Sequence, residues 1–173
     1  TKTGKIYVSD DKMRFESQSQ GAGNVAMVWD VGRQTRYILM PERRMYMDYS
    51  PVMGAKMPEI PYLHPSDIND ACPEWHKMAV QMNHADKWGT CRKVGNDTVN
   101  GRSAVKYEGT SNDGKSSQIW IDSKLRYVTK YQQKDGNGME LRNIEEVAQP
   151  ASLFVVPPGY QKFDMPGMGM RQR

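Results

Sequence analysis

The chain between Asn24 and Tyr49 predicts the centre of the fold. Runs rich in Val, Ile, Met, Trp and Tyr are interrupted at Asp30 to Arg33 and at Pro41 to Arg43, which contain residue types that reverse a chain. The pattern predicts an antiparallel meander of three strands. The first two, Val25 to Trp29 and Tyr37 to Met40, are apolar at nearly every position, so both faces of the sheet are expected to be covered.

Further strands are predicted on both sides of this meander. Ser9 to Asp11 can form a hairpin turn near the start, and Asn100-Gly101 is a pair strongly favoured in two-residue hairpins. Turns rich in Asp, Asn and Gly separate the later strands. The predicted strands outside the meander are Thr3 to Val8, Lys12 to Ser17, Gly89 to Val94, Arg102 to Glu108, Lys115 to Ile121, Arg126 to Lys134 and Met139 to Val147.

One helix is predicted, from about Asp70 to His84. Asn69 or Asp70 can cap it and Pro73 suits its first turn. Its apolar residues recur at i, i+3, i+4 and i+7 and therefore share one face. These residues are Trp75, Met78, Ala79 and Met82. The Pro-rich stretch before it, Ser50 to Pro65, is expected to be an extended crossover over the sheet.

Alternation within the strands predicts one large apolar concave face. The residues expected to line it and to bind a ligand are Met27, Trp29, Tyr37, Leu39, Met45, Met47, Tyr107, Ile119, Ile121, Met139 and Leu141. A helix of about three turns cannot cover about nine strands. The predicted fold is therefore mainly β (α+β), a strongly curved antiparallel sheet forming an unclosed barrel. Either it curls on itself or a hollow remains for a ligand.

The composition suits a single domain over residues 1–163, followed by a flexible tail rich in Met and Gly over residues 164–173. The apolar runs are too short to span a bilayer. The net charge of +4 comes from cations scattered along the chain, which argues against a nucleic-acid partner. Thirteen methionines against three phenylalanines predict either an adaptable binding surface or a core filled by Met in place of Leu.

Little in the sequence indicates catalysis. It contains no phosphate loop, no Gly-x-Ser-x-Gly elbow and no recognisable triad, so neither a catalytic residue nor a cofactor is predicted. Cys72, His76, His84 and Cys91 invite a zinc site, but they lack the close ligand pairs of structural zinc sites. The thioethers of Met165, Met168 and Met170 could select Cu(I), although an unstructured tail explains them better.

The order of elements resembles the lipoprotein-carrier fold of periplasmic proteins that ferry or sense lipidated proteins, and more closely an uncharacterised bacterial family with that fold. The resemblance covers most of the chain, and its motifs are turns and core positions. It is carried by Gly4 to Val8, Lys12 to Glu16, the Met-rich meander, Val99 to Arg102 and the ending from Gly138 through Ser152-Leu153-Phe154 to Tyr160.

The resemblance implies an unclosed antiparallel barrel whose hollow is plugged by helices and usually holds lipid acyl chains. It implies export to the periplasm or cell envelope, with a signal peptide outside this sequence, and so favours a Cys72–Cys91 disulfide over zinc. The expected function is a non-enzymatic carrier or binding protein for a lipid or acylated protein, with transient contacts to membrane proteins. The alternatives are an envelope interaction or sensor protein with a self-filled groove and, more distantly, Met-rich copper handling.

Overall fold

The computed structural model describes residues 3–19, 23–49 and 63–164, and the chain forms two compact units. Unit 1 combines Thr1–Met57 with Glu146–Arg173, and unit 2 is Pro58–Glu145. The strands are β1 Gly4–Ser9, β2 Lys12–Ser19, β3 Gly23–Asp30, β4 Thr35–Met40, β5 Met45–Asp48, β6 Thr90–Val99, β7 Arg102–Thr110, β8 Ser116–Asp122, β9 Tyr127–Gln133, β10 Gly138–Glu140 and β11 Gln161–Lys162, and the helix α1 is Cys72–Gln81. The predicted mainly β, α+β class is confirmed.

Unit 1 contains a six-stranded sheet in the order β1-β2-β3-β4-β5-β11. The predicted meander forms its centre. Its first turn is closed by the Asp30 carboxylate, which is buried and accepts the backbone N–H of Arg33 at 2.8 Å. Its second turn is the 3₁₀ segment Pro41–Arg43, which ends at Arg44 with a left-handed φ of 48°. Neighbouring strands are antiparallel except for β5 and β11, which are parallel.

The core of unit 1 lies on one face of this sheet. Ala26 and Val28 of β3 are buried there with Leu39 of β4, and Phe154 from the C-terminal segment packs against them. This segment is fixed to the sheet by the Arg14 Nη1, which donates a hydrogen bond to the backbone oxygen of Leu153 at 2.9 Å. Residues from the end of the chain therefore complete a core whose strands come from its beginning.

Unit 2 contains a five-stranded antiparallel sheet in the order β10-β9-β8-β7-β6. The predicted Asn100-Gly101 turn joins β6 to β7, and both residues have positive φ, 49° and 78°, as a two-residue hairpin of type I′ requires. At the turn between β8 and β9 the buried Asp122 accepts a hydrogen bond from Arg102 Nε at 2.5 Å and another from the N–H of Leu125 at 2.8 Å. Two of the turns of this sheet therefore have an identified cause in their own residues.

The helix α1 packs on one face of the sheet in unit 2. Its bounds lie inside the predicted range, and Pro73 occupies its first turn as expected. Ala71 and Trp75 are buried in a cluster with Val105, Tyr107, Ile119, Ile121 and Val128 of the sheet. The predicted Cys72–Cys91 disulfide is confirmed, with a Cα–Cα distance of 5.7 Å, and it joins the first residue of α1 to β6. The apolar stripe of the helix thus faces the sheet.

Three expectations differ from the described structure, the first being the strand predicted over Met139 to Val147, of which β10 covers only the start, Gly138–Glu140. The strands belong to two sheets instead of one, because the alternation of apolar and polar residues assigns faces to strands but does not say which strands pair. The strand β11, only two residues long, was not predicted. Most of the predicted crossover, Ser50 to Pro65, and of the tail, Asp164 to Arg173, lies outside the described residues. A single domain over residues 1–163 stays a prediction.

Candidate functional site

A cavity of about 410 Å³ lies within unit 2, between α1 and the sheet. Its volume falls in the range of about 300–1,000 Å³ that is usual for small-molecule sites. The described residues that line it belong to α1, to the connection from His84 to Cys91, and to the strands β7, β8 and β9 with the turn between β7 and β8. We therefore treat this cavity as the candidate functional site.

The wall of the cavity formed by α1 is apolar along its length. Trp75, Met78, Ala79 and Met82 line it, and they are the four residues that the helical period places on one face. Trp75 is buried, and its ring meets that of Tyr107 edge-on at 5.2 Å. Met82, just after the last helical residue, is 47% exposed. The wall therefore runs from the core of unit 2 to solvent.

The floor of the cavity is one face of the sheet. Residues that pair across neighbouring strands form rows on this face. Tyr107, Ile119 and Tyr131 lie side by side in one row. The next row along the strands is Gly109, Ser117 and Gln133. Large side chains in the first row give way to a glycine and a serine in the second, and the space that they leave open forms part of the cavity.

The N-terminal end of α1 is attached to the floor by covalent and polar contacts. Ala71, which precedes the first helical residue, has only a methyl side chain and does not cap the helix. Instead, the Tyr107 hydroxyl accepts its N–H at 3.2 Å and donates to the backbone oxygen of Ile68 at 3.0 Å. The Cys72–Cys91 disulfide lies beside these bonds, and Cys91 lines the cavity. A residue of the sheet thus caps the helix.

Charged and hydroxyl groups gather at the end of the cavity near the turn between β7 and β8. There the Asp113 carboxylate accepts hydrogen bonds from the Ser111 hydroxyl and from Lys115, whose Nζ lies 3.0 Å away. The Ser111 hydroxyl and the Lys115 ammonium lower the pKa of Asp113 to about 2. Asp113 in turn raises the pKa of Lys115. Both groups are therefore charged at neutral pH and neutralise each other.

The structure places the predicted binding residues of the later strands together on one face of unit 2. Tyr107 and Ile119 line the cavity. Ile121 is fully buried in the core beneath α1, and Met139 packs against that core. Leu141 lies beyond the end of β10, where it is half-buried and its N–H bonds to the Thr129 oxygen at 2.8 Å. Helix α1 therefore covers part of the face that was predicted to be open.

The predicted residues of the meander are divided between the two faces of the sheet in unit 1. The register pairs Phe15 with Met27, Met27 with Ile38 and Ile38 with Met47, so these side chains share a face. We call this surface the methionine face. Its members are Ile6, Val8, Met13, Phe15, Val25, Met27, Trp29, Ile38, Met40, Met45 and Met47.

The placement of Tyr37 and Leu39 on the same face as Met27 and Trp29 was wrong. Val28 pairs with Tyr37 and Ala26 with Leu39, so both residues point to the buried core on the opposite side. The physical reason is that β3 and β4 are apolar on both faces. In such strands the sequence pattern does not show which alternate residues face the core. Only the pairing with neighbouring strands shows which residues share a face.

Several cavity residues were absent from the predicted site. The sequence pattern placed Trp75, Met78 and Met82 on one face of a helix, but not in the wall of a cavity. The single predicted helix is too small to cover the sheet, and this mismatch was the signal that a cavity lies beneath it. Gly109 and Ser117 gave no signal, because a small residue in a strand is informative only once its neighbours on the adjacent strands are known.

The disulfide overturns the zinc alternative, since it takes up both cysteine sulfurs. Within the described ranges, no group of three or more His, Cys, Asp or Glu side chains is placed to hold a metal. In the same ranges no helix has the length and apolar character needed to cross a membrane. A disulfide of this kind fits an oxidising compartment. Comparisons with protein-family models and with curated protein sequences find no match for this chain.

Proposed function

We propose that the protein is a non-enzymatic binding or carrier protein of the periplasm or cell envelope, and that it holds a lipid or the acyl chain of a lipidated protein. The observation that carries the proposal is the cavity of about 410 Å³ between the apolar face of α1 and the row of Tyr107, Ile119 and Tyr131. Sites for apolar ligands combine such walls with a few polar groups at one place.

Two further observations support this proposal. Met78 and Met82 supply flexible, polarisable side chains that can adapt to chains of different shape. The Cys72–Cys91 disulfide fixes α1 over the floor and fits the oxidising compartment that a periplasmic protein occupies. Brief contact with membrane proteins, for loading and unloading, is part of the same proposal.

A second candidate is an envelope interaction or sensor protein whose groove is filled by its own helix. It is favoured by the buried positions of Ala71 and Trp75, which already cover Val105, Ile121 and Val128 of the sheet. The two candidates differ in what the cavity accepts. A carrier binds apolar probes there, whereas a self-filled groove excludes them.

The test compares two substitutions at the end of α1 in the full chain. Met82 lines the cavity and is 47% exposed, whereas Val80 is 50% exposed and does not line it. Since both positions are accessible to water, an aspartate at either is expected to leave the protein folded. Met82→Asp removes apolar contact worth roughly 1.4 kcal/mol, which should weaken binding of the neutral dye N-phenyl-1-naphthylamine about tenfold.

The matched variant Val80→Asp should bind the dye as the wild type does. Fluorescence titration measures both affinities, and native mass spectrometry of freshly purified protein should show a bound apolar molecule. A wild-type protein that carries no such molecule and does not bind the dye would contradict the carrier function and favour the self-filled groove. Equal weakening by both variants would place the dye outside this cavity.

A further inference from the structure

The floor of the cavity changes in polarity along the strands. Its innermost row is Tyr107, Ile119 and Tyr131, and the next row is Gly109, Ser117 and Gln133. One step further, the N–H of Ser111 bonds to the backbone oxygen of Lys115 at 2.9 Å. Successive rows on one face are about 7 Å apart, so the floor passes from aromatic to charged groups over about 14 Å.

The opposite wall does not follow this change. Met78, Ala79 and Met82 of α1 remain apolar towards the exposed end. A ligand in the cavity therefore meets an apolar wall along its whole length but polar groups at one end only. This arrangement matches an amphiphile with one apolar chain, lying with its chain towards Tyr107 and its polar head towards the turn between β7 and β8.

Ser117 offers a hydrogen bond to such a head. It is half-buried, lines the cavity, and its hydroxyl has no hydrogen-bond partner in the part of the chain that the structure describes. A Cβ atom placed on the neighbouring Gly109 would lie 3.1 Å from the Thr90 backbone oxygen and 3.7 Å from the Ser117 Oγ, so it would occupy the space between them. The absence of a side chain at Gly109 thus leaves space beside this hydroxyl, which a ligand group can fill.

The charges that face the cavity favour an anionic head. Glu108 also borders the cavity, but its side chain lies on the other face of the sheet, where Arg92 and Gln118 bond to it. Lys87, Lys115 and Asp113 remain, two cations and one anion, which leaves one positive charge. Because Lys115 is paired with Asp113, the uncompensated charge is that of Lys87, which makes no ion pair within the described residues.

We infer that the cavity binds a single-chain amphiphile with an anionic oxygen head, the head accepting a hydrogen bond from Ser117 within the field of Lys87. The inference rests on the proposed function. A carboxylate and a phosphate monoester share this chemistry, and their geometry differs. The planar carboxylate has two acceptor oxygens, whereas the phosphate has three and up to twice the charge.

The experiment measures displacement of N-phenyl-1-naphthylamine from the full chain by undecanoate, decyl phosphate and decanol, each below its aggregation concentration. The three share one apolar chain and differ only in the head. We expect both anions to displace the dye at lower concentration than decanol does. The anion that displaces the dye at the lower concentration shows whether the natural head group is a carboxylate or a phosphate.

The charge variant is Lys87→Gln, and its matched control is Lys134→Gln, because Lys134 is an exposed cation near the same end of the sheet that does not line the cavity. Lys87→Gln should weaken binding of the anions about twofold to fivefold, the size of an exposed ion pair, and leave decanol unchanged. The difference should shrink in 0.5 M salt. Ser117→Ala should weaken all three ligands, since each head can accept its hydrogen bond.

The outcomes separate the inference from the proposed function. If decanol displaces the dye as well as the anions do, or if Lys87→Gln and Lys134→Gln behave alike, the anionic head is refuted while the apolar site stands. If neither the dye nor any decyl compound binds, the proposed function fails and the inference fails with it.

Discussion

The hydroxyl of Tyr107 connects the sheet of unit 2 to the start of α1, and its removal tests how the helix is capped. Tyr107 is 1% exposed. Its oxygen accepts the N–H of Ala71 at 3.2 Å and donates to the oxygen of Ile68 at 3.0 Å. In Tyr107→Phe the ring keeps its edge-on contact with Trp75, so only these two hydrogen bonds are lost.

The expected loss of stability depends on how deeply the two groups that lose their hydrogen bond, the Ala71 N–H and the Ile68 carbonyl, are buried. Ala71 is fully buried, and an N–H left there without a partner costs about 1–3 kcal/mol. The Ile68 carbonyl, in a half-buried residue, adds about 1 kcal/mol. Tyr107→Phe should therefore lower the free energy of unfolding by about 2 to 4 kcal/mol.

Urea unfolding followed by tryptophan fluorescence measures this loss, because Trp75, Trp88 and Trp120, three of the four tryptophans, belong to unit 2. Tyr46→Phe in unit 1 is the control, since the Tyr46 hydroxyl has no hydrogen bond within the described residues; we expect a change below about 0.5 kcal/mol. A Tyr107→Phe variant as stable as this control would refute the idea that the sheet caps the helix.

Three other perturbations probe covalent, ionic and backbone features. A phosphine reductant should lower the free energy of unfolding by about 3 kcal/mol, because the disulfide links residues 19 apart; alkylation of two thiols in non-reduced protein would contradict it. Asp122→Asn removes the ion pair between the buried Asp122 carboxylate and the partly exposed Arg102, and it should cost roughly 3 kcal/mol. Burial raises the pKa of Asp122, but Arg102 and the N–H groups of Leu125 and Lys124 outweigh it and lower this pKa, so the wild type should lose stability as pH falls below about 4. The variant should lose less stability over that range. If the two proteins lost stability identically with acid, the ion pair of Asp122 and Arg102 would not be a cause of the acid sensitivity. Gly101→Ala, at a φ of 78°, should cost about 1 kcal/mol in urea unfolding, and an unchanged midpoint would show that the turn relaxes.

Turns and the helix were predictable from the sequence because their causes are local. Asn100-Gly101 forms the expected hairpin, and α1 lies within the expected range. The cap differs, because neither Asn69 nor Asp70 caps the helix; Tyr107, 36 residues away from Ala71, does so instead. A contact that depends on tertiary structure cannot be inferred from residues adjacent to the helix.

The candidate site could be predicted only in part. Alternation with polar neighbours correctly grouped Met45 with Met47 of β5, and Tyr107 of β7 with Ile119 of β8, because polar residues such as Asp48, Lys106 and Gln118 stand next to them. Tyr37 and Leu39 were assigned to the wrong face because their strand is apolar on both sides. The cavity itself depends on Gly109 and Ser117 being neighbours across two strands, which is a matter of register.

The order of the two units along the chain affects how the protein folds during its synthesis. Unit 2 is continuous, so every residue of its sheet has left the ribosome once Glu145 has emerged. The sheet of unit 1 must wait for Phe154 to fill its core and for β11 to pair with β5. Domains generally fold as they are synthesised, and long-range pairing is slow. A nascent chain ending at Glu145 should thus contain all of unit 2 but an incomplete unit 1, in which β5 is an edge strand that can pair with wrong partners.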